Sequence, residues 1–362
     1  MPYQLIGAPL SLYSGKIRGY LRWKNVAYAE VLSTAEVYKA QIMPRVGWPV
    51  IPVLITPDDE TVQDTSDMID FVENAEAGPS VYPAGAVQKL AALILELFGD
   101  EWLLIAAMHY RWQYNEDFVY QEFGNTAVPK LPKAERYDIG KQRAEKFKGS
   151  LPFLGITPAT APAIEKTYEA FLRAFDIHLA AHDFLLGSRP SIGDFGLLGP
   201  LYAHNYRDPA SGALMEKLAP RVTAWCRNTH APQHPLSGDF LPDDQIPETL
   251  IPILQLFAGE HLPILVSTLA ETQKWVQDNP GTTELPRAVG FHKYRIGGIE
   301  EDRAVFPYCL WMLQRVLDHL ATLSGAKRQA ADGFLERIGA GELSNMQILP
   351  RLARKNFKLV RV

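Results

Sequence analysis

The sequence predicts an α/β domain of short strands and helices, followed by a mainly α-helical domain with an extra, mostly helical C-terminal extension. Three observations carry that prediction. Over residues 1–77, short runs of strand-forming residues alternate with stretches of helical period. The segment Gly78-Pro79-Ser80-Val81-Tyr82-Pro83-Ala84-Gly85 is dense in residues that punctuate chains, and it reads as a linker over 78–86. Beyond it strand signals nearly vanish, and apolar residues recur at helical spacing.

The elements follow in order. Gln4 to Gly7 reads as a strand, Gly15 to Asn25 as an amphipathic helix, Ala27 to Val31 and Ile51 to Ile55 as further strands. Asp64 to Val72 reads as a helix, with Met68, Ile69 and Val72 apolar at helical spacing and acidic groups in its first turn. The second block, 87–230, carries helical patterns near 86–119, 160–182, 192–205 and 213–228, while 121–159, rich in Pro, Gly and charge, reads as a long loop. The third, 231–362, has helices near 247–278, 302–324 and 327–338 and a short hairpin around Gly297-Gly298. Arg351, Arg354, Lys355, Lys358 and Arg361 read as a solvated basic tail.

Composition narrows the function. With 362 residues and 47% hydrophobic content the chain can bury a substantial core, and its formal charge of -5 gives no reason to bind nucleic acid or an anionic membrane. Its two cysteines, Cys226 and Cys309, are too few for a disulfide framework or a cysteine-rich zinc site, and both read as core residues. No signal core and no apolar run near 20 residues stands out, so a cytoplasmic protein without a membrane partner is expected. His230 and His234 are four apart, but Pro232 breaks a shared helical face, and no metal is expected. Gly-x-Ser-x-Gly, Gly-x-Gly-x-x-Gly and P-loop motifs do not occur.

The chemistry is concentrated near the N-terminus. In Leu5-Ile6-Gly7-Ala8-Pro9-Leu10-Ser11-Leu12-Tyr13-Ser14, a strand leads through hydroxyl-bearing residues into a helix, whose first turn presents unpaired N–H groups and a positive dipole end. The pattern Ser11-x-x-x-x-Lys16-Ile17-Arg18 resembles the active-site loop of the glutathione S-transferase superfamily. Three later segments fall in the matching order. Val50-Ile51-Pro52-Val53-Leu54 resembles the segment in which a cis-proline opens a strand; Asp64-Thr65 before Ser66-Asp67-Met68 resembles the acid–hydroxyl pair at a helix start; and Gly187-Ser188-Arg189-Pro190-Ser191-Ile192-Gly193-Asp194-Phe195 resembles the capping segment of the helical domain. The resemblance covers about residues 3–230 and implies a thioredoxin-like N-terminal domain, glutathione as co-substrate, a small hydrophobic electrophile and a homodimer.

Site roles follow from that resemblance. Ser11 is implied as the hydroxyl that stabilises the glutathione thiolate, with Ser14 as the alternate or the helix cap, and with Tyr13 and Tyr3 in reserve. The Ile51 backbone, turned out by a cis bond to Pro52, would pair with the tripeptide. Thr65 would hold the γ-glutamyl carboxylate and Asp64 its ammonium. Where many members place a lysine for the glycyl carboxylate, Arg45 is the substitute here, with Trp48 covering the peptide. An ordinary thiol titrates near ~8.5, so half ionisation at pH 7 needs about 1.5 units, or roughly 2 kcal/mol. A charge-assisted hydrogen bond of about 1.5–3 kcal/mol plus a helix N-terminus of about 0.3–1 is sufficient. Serine at position 11 cannot hold a mixed disulfide, which favours attack at an electrophilic carbon over thiol–disulfide exchange.

Elsewhere the readings are structural. Ser191 and Asp194 form a reciprocal helix cap. Trp102, Ile105, Met108, His109 and Trp112 make a core stripe, with Tyr110 and Tyr114 on a neighbouring face that the resemblance places beside the electrophile. The Gly290–Gly298 segment reads as a surface hairpin or as a cover for the glutathione cleft or dimer seam.

Overall fold

The computed structural model describes residues 2–232 and 237–362, so His234 lies outside the described residues. A four-stranded mixed sheet opens the chain in the order β2-β1-β3-β4. Its strands are β1 (Tyr3–Gly7), β2 (Tyr28–Leu32), β3 (Val53–Ile55) and β4 (Thr61–Gln63). β1 runs parallel to β2 and antiparallel to β3, and β3 is antiparallel to β4. Leu5, Ile6, Val53 and Leu54 are fully buried, which is why the two central strands read as apolar runs instead of alternating. β4 has no sequence signal because three residues are too few to show a period. The helical run over 35–46 was likewise not predicted.

Two compact units interleave along the chain. One comprises Met1–Val81, Ala106–Ser150 and Phe195–Ser237, and the other Tyr82–Ile105, Leu151–Asp194 and Gly238–Val362, so the contacts do not follow the linear order of the sequence blocks. In the first unit the helix after β1, α1 (Leu12–Trp23), packs beside the Thr65–Ala75 helix. Lys16, Tyr20 and Lys24 repeat every fourth residue along one face. Lys16 Nζ reaches Ser66 Oγ at 3.4 Å, the Tyr20 hydroxyl donates to Glu73 at 2.8 Å, and Lys24 pairs with Glu73 at 2.9 Å.

The expected loop over 121–159 is instead mostly helical. Glu116–Ala127 and Lys133–Lys148 form a tight helical hairpin in the first unit. They approach so closely that a Cβ on Gly124 would lie 1.8 Å from the Arg136 carbonyl oxygen, and one on Gly140 1.9 Å from that of Tyr120. Backbone proximity replaces an apolar stripe: only Gly140 and Ala144 of the second helix are buried, leaving little periodicity to read. The single helix expected near 86–119 is also divided, into Ala86–Leu97, a wide turn at Phe98–Trp102, and Leu104–Tyr114.

The extension is built into the second unit. The Asp244 carboxylate accepts the Val87 and Gln88 N–H groups, each at 2.8 Å, and so caps the Ala86–Leu97 helix from 157 and 156 residues away. β5 (Phe291–Ile296) and β6 (Ile299–Ala304) form the expected hairpin, whose partners lie in its own unit. The Tyr294 hydroxyl donates to the Gly155 carbonyl and Arg303 donates to that of Leu154 at 3.2 Å. The basic tail is no loose tail: β7 (Leu352–Lys355) and β8 (Lys358–Arg361) pair, Arg351 is bridged to Asp318 and Lys358 to Glu284. Between them Asn356 and Phe357 both have positive φ, a two-residue turn that the composition concealed.

The continuous Glu248–Asp278 helix corrects the expectation that no segment is long and apolar enough to span a bilayer; by length and composition this one is, although half of its most apolar stretch is buried inside the protein. Asp194 is fully buried and accepts from the Ser191 N–H and hydroxyl, each at 2.8 Å, and from the Leu185 N–H at 3.0 Å. Only half of the expected reciprocal cap forms: the Ser191 hydroxyl donates to the carboxylate, and the Asp194 N–H goes to the Ser191 carbonyl at 3.0 Å instead of to that hydroxyl.

His178 is fully buried, with one ring nitrogen 2.9 Å from the Thr249 hydroxyl and the other 3.1 Å from the Phe184 carbonyl. Burial lowers its pKa from the ordinary 6.5 to about 4. The neutral ring therefore supports folding above pH 6.5, and that support is lost as pH falls from 6.5 towards 4. The full loss amounts to roughly 3 kcal/mol. His204 and His261 are pushed down by burial too and act in the same direction. Thermal unfolding followed across this window should show a falling Tm, with a shallower slope in His178→Gln; an equal slope in that variant would refute the assignment.

Candidate functional site

One row of the sheet sets the site. Ile6 pairs with Val53, and Val53 with Gln63. Because β3 is antiparallel to both neighbours, the chain leaving β1, the chain entering β3 and the chain leaving β4 all emerge at the same end. Those three stretches carry Ser11, Ile51-Pro52 and Asp64-Thr65, so the topology gathers six of the eight candidate residues there once Ser14 is included.

Ser11 is the N-cap of α1, in extended conformation, and its Oγ accepts the Ser14 N–H at 3.2 Å. The hydroxyl's own proton is given to no group among the described residues, and the side chain is partly exposed. An oxygen that accepts an N–H becomes a better O–H donor, which suits a thiolate within its reach. Ser14 is different. It is fully buried, and its Oγ accepts the Ala8 N–H at 3.3 Å, so it supports the loop from behind.

The Ile51–Pro52 peptide is cis, and Ile51 lies just outside the strand that begins at Val53. No intramolecular backbone hydrogen bond among the described residues uses its N–H or C=O. Asp64 has φ of 90°, a region that favours glycine, and its carboxylate accepts the Ser66 N–H at 2.9 Å as the cap of the Thr65–Ala75 helix. Strain retained in a cap beside other converging groups points to a functional constraint. Thr65 is buried at the first helical position, where its N–H is among the donors no helix can satisfy internally.

Arg45 is not brought to this place. It bonds the Asp59 carboxylate and the Thr61 hydroxyl, at the Ile55–Thr61 end of the β3–β4 hairpin, away from the Val53–Gln63 row. Trp48 is half-buried, and its Nε1 is shielded without a partner. Tyr3 sits at the far end of β1 and donates to Glu76 at 2.9 Å; burial, with that bond, pushes its pKa to about 12. Tyr110 is buried and Tyr114 half-exposed, their rings 5.7 Å apart. Cys226 and Cys309 are buried free thiols, both pushed up by burial, Cys309 to about 12.

Sequence reasoning missed the ionic groups behind the loop. Arg18 chelates the Glu30 carboxylate, with Nε at 2.9 Å from each oxygen, and reaches the Ala8 carbonyl at 3.3 Å. Arg111 contacts the Leu10 carbonyl. The available signal was a charged residue within the apolar stripe of the Leu104–Tyr114 helix.

A family model for the glutathione S-transferase N-terminal domain matches residues 5–80, and one for the C-terminal domain matches residues 158–228. The chain carries an N-terminal and a C-terminal glutathione S-transferase domain. Solved structures similar to it include a glutathione S-transferase from Rhodospirillum rubrum F11 (15% identity, 68% of this chain and 97% of that chain covered, TM-score 0.42). Others are a glutathione S-transferase from Methylobacterium radiotolerans JCM 2831 in complex with glutathione sulfonate (16%, 67% and 98%, 0.40) and the beta-etherase LigF from Sphingobium sp. strain SYK-6 (15%, 64% and 96%, 0.43). A search of curated proteins finds no match. The two glutathione S-transferase domain matches leave out 81–157, which holds the tight helical hairpin, and everything after 228.

The two serines should separate cleanly by experiment. Ser14→Ala strands a buried N–H and should cost about 1–3 kcal/mol in denaturant unfolding. Ser11→Ala removes only a partly exposed cap, about 1 kcal/mol. A larger stability loss for Ser11→Ala than for Ser14→Ala would reverse the assignment.

Proposed function

We propose that the chain is a glutathione transferase in which Ser11 donates its hydroxyl to the glutathione sulfur and keeps it as thiolate for attack on a small hydrophobic electrophile. The observation that carries this reading is the state of Ser11: capped into place by the Ser14 N–H, partly exposed, and with its own proton uncommitted, at the sheet end shared with Ile51 and Asp64. The two glutathione S-transferase domain matches support glutathione as the thiol. The free N–H and C=O of Ile51 offer the tripeptide a strand-like pairing edge. Thr65 offers its helix-terminal N–H to the γ-glutamyl carboxylate, and the Asp64 carboxylate faces the ammonium. With Arg45 engaged elsewhere, the half-buried Trp48 ring is left to cover the peptide. The homodimer is carried over from the family in the same sense.

In the proposed step a bound thiol loses its proton to solvent, Ser11 and the α1 N-terminus stabilise the resulting anion, and the sulfur forms a bond to carbon as the leaving group departs. Serine supplies no sulfur of its own, so no enzyme–glutathione disulfide forms.

Calorimetric titration with glutathione, paired with the ultraviolet absorbance of the bound thiolate, tests the reading. The wild type should bind and show thiolate at neutral pH. Ser11→Ala should bind within a few-fold of wild type but lose the thiolate signal, with kcat lower by about 10–150-fold, the equivalent of a charge-assisted hydrogen bond. Binding without thiolate in the wild type would leave a glutathione-binding scaffold, and absence of binding would reject both.

A further inference from the structure

We propose that Arg111 is the positioning residue of the Ser11 hydroxyl: it clamps the Leu10 carbonyl and so fixes the loop that ends in Ser11. The proposal rests on the reading of Ser11 given above.

The geometry is specific. Arg111 lies on the Leu104–Tyr114 helix with its side chain 4% exposed, and four donor contacts are made by its guanidinium. Nε meets Asp208 Oδ2 at 2.7 Å and one terminal nitrogen meets Asp208 Oδ1 at 2.8 Å, a bidentate pair with a carboxylate whose side chain is fully buried. The same terminal nitrogen reaches the Ala203 carbonyl at 2.8 Å, and the other reaches the Leu10 carbonyl at 2.9 Å.

Each of those acceptors is there for a physical reason. Residues Leu201–Tyr206 form a wide helical turn. Where it narrows again, the Tyr202 carbonyl is taken by the Arg207 N–H and the His204 carbonyl by the Asp208 N–H. The Ala203 carbonyl is passed over between them, and Arg111 fills the gap. Widened turns of this kind recur at functional sites. Asp208 opens the next helix, Pro209–Leu218, as its N-cap, although its carboxylate is turned to Arg111 and makes no cap bond of its own. A capping residue has been diverted to orient a guanidinium.

The loop is held at four points. The Ala8 N–H is taken by Ser14, the Ala8 carbonyl by the Ser11 N–H at 3.2 Å and by Arg18, and the Leu10 carbonyl by Arg111. The partly exposed Ser11 hydroxyl is left with its proton ungiven among the described residues. Burying an ion pair seldom adds net stability over a well-packed apolar pair, so stability alone does not account for this one. Its distinctive consequence is the fixed peptide immediately before the N-cap serine.

The test uses full-length protein and the variants Arg111→Met, Arg111→Lys and Asp208→Asn. Hydrogen exchange of the amides over residues 10–16, measured without ligand, should quicken by at least about tenfold in Arg111→Met beyond any global change, since the loop then opens locally. In the glutathione complex the same variant should hold about tenfold less thiolate at neutral pH, one unit in the bound thiol's titration, while its affinity for glutathione changes less than threefold. Arg111→Lys keeps a donor for Leu10 but not the bidentate fork, and should fall between. If Arg111→Met does not fold, the lysine and Asp208→Asn variants carry both measurements, with the same direction expected. A lower Tm with local exchange and thiol titration both unchanged would overturn the proposal, leaving Arg111 a structural residue. If the wild type itself shows no Ser11-dependent thiolate, the Ser11 reading falls, and loop exchange alone decides whether Arg111 fixes the loop.

Discussion

The structure of the site depends on one register, the row Ile6–Val53–Gln63 across three strands. A side chain in a strand alternates faces with period two, so slipping β3 by one residue against β1 would exchange Val53 and Leu54 between two packed faces and move the cis peptide away from the Ser11 loop. Full burial of Leu5, Ile6, Val53 and Leu54 prevents that slip. Nothing in the three functional segments specifies their proximity; the apolar residues two or three positions away do. In that sense the site is a by-product of core packing, and only its fine geometry is left to polar contacts.

Those polar contacts sit behind the loop, out of reach of a ligand. Ser14, Arg18, Lys16 and Arg111 are buried, and their visible partners are the Ala8 and Leu10 main chain, Glu30, Ser66 and Asp208. Unpaired, any one of the cations would cost several kcal/mol in the interior. Glu30, on β2, and Asp208, beyond the wide turn, come from different parts of the chain, so the loop is tied both to the sheet and to helices that follow much later in sequence.

What the sequence disclosed follows the same divide. The central strands and the Asp194 half of the cap were legible because each depends on neighbours within a few residues, an apolar run and a Ser-x-x-Asp pattern, whereas α1 begins at Leu12, three residues before the expected Gly15, because Ser11 and not Ser14 caps it. The hairpin at Glu116–Lys148 was not, because its two helices meet through Gly124 and Gly140, and glycine reads as a breaker until a second backbone is seen against it. Arg45 was misplaced for a related reason. The resemblance put Arg45 in the place of the family's lysine in the loop before Pro52, but Asp59 and Thr61, in a hairpin too short to register, compete for it. Asp244 capping Val87, and Arg111 holding Leu10, span 157 and 101 residues, distances over which no local pattern can speak.

The extension shows how that long-range dependence changes the meaning of an appended segment. Arg303 is buried beside the rings of Trp102 and Tyr294, 5.8 and 5.9 Å from their centroids, so a residue of the extension lies against one from the second sequence block. Tyr294 in turn requires glycine at position 155: with φ of 74°, a Cβ there would lie 2.1 Å from the ring. A cation near two aromatic rings is stabilised more strongly where the site is dry, and that depends on both rings being present. Removing the extension would therefore not uncover a finished helical domain; it would uncap the Ala86–Leu97 helix and expose Trp102. The extension belongs to the folding of the second unit, and that role is independent of whatever chemistry Ser11 performs in the first.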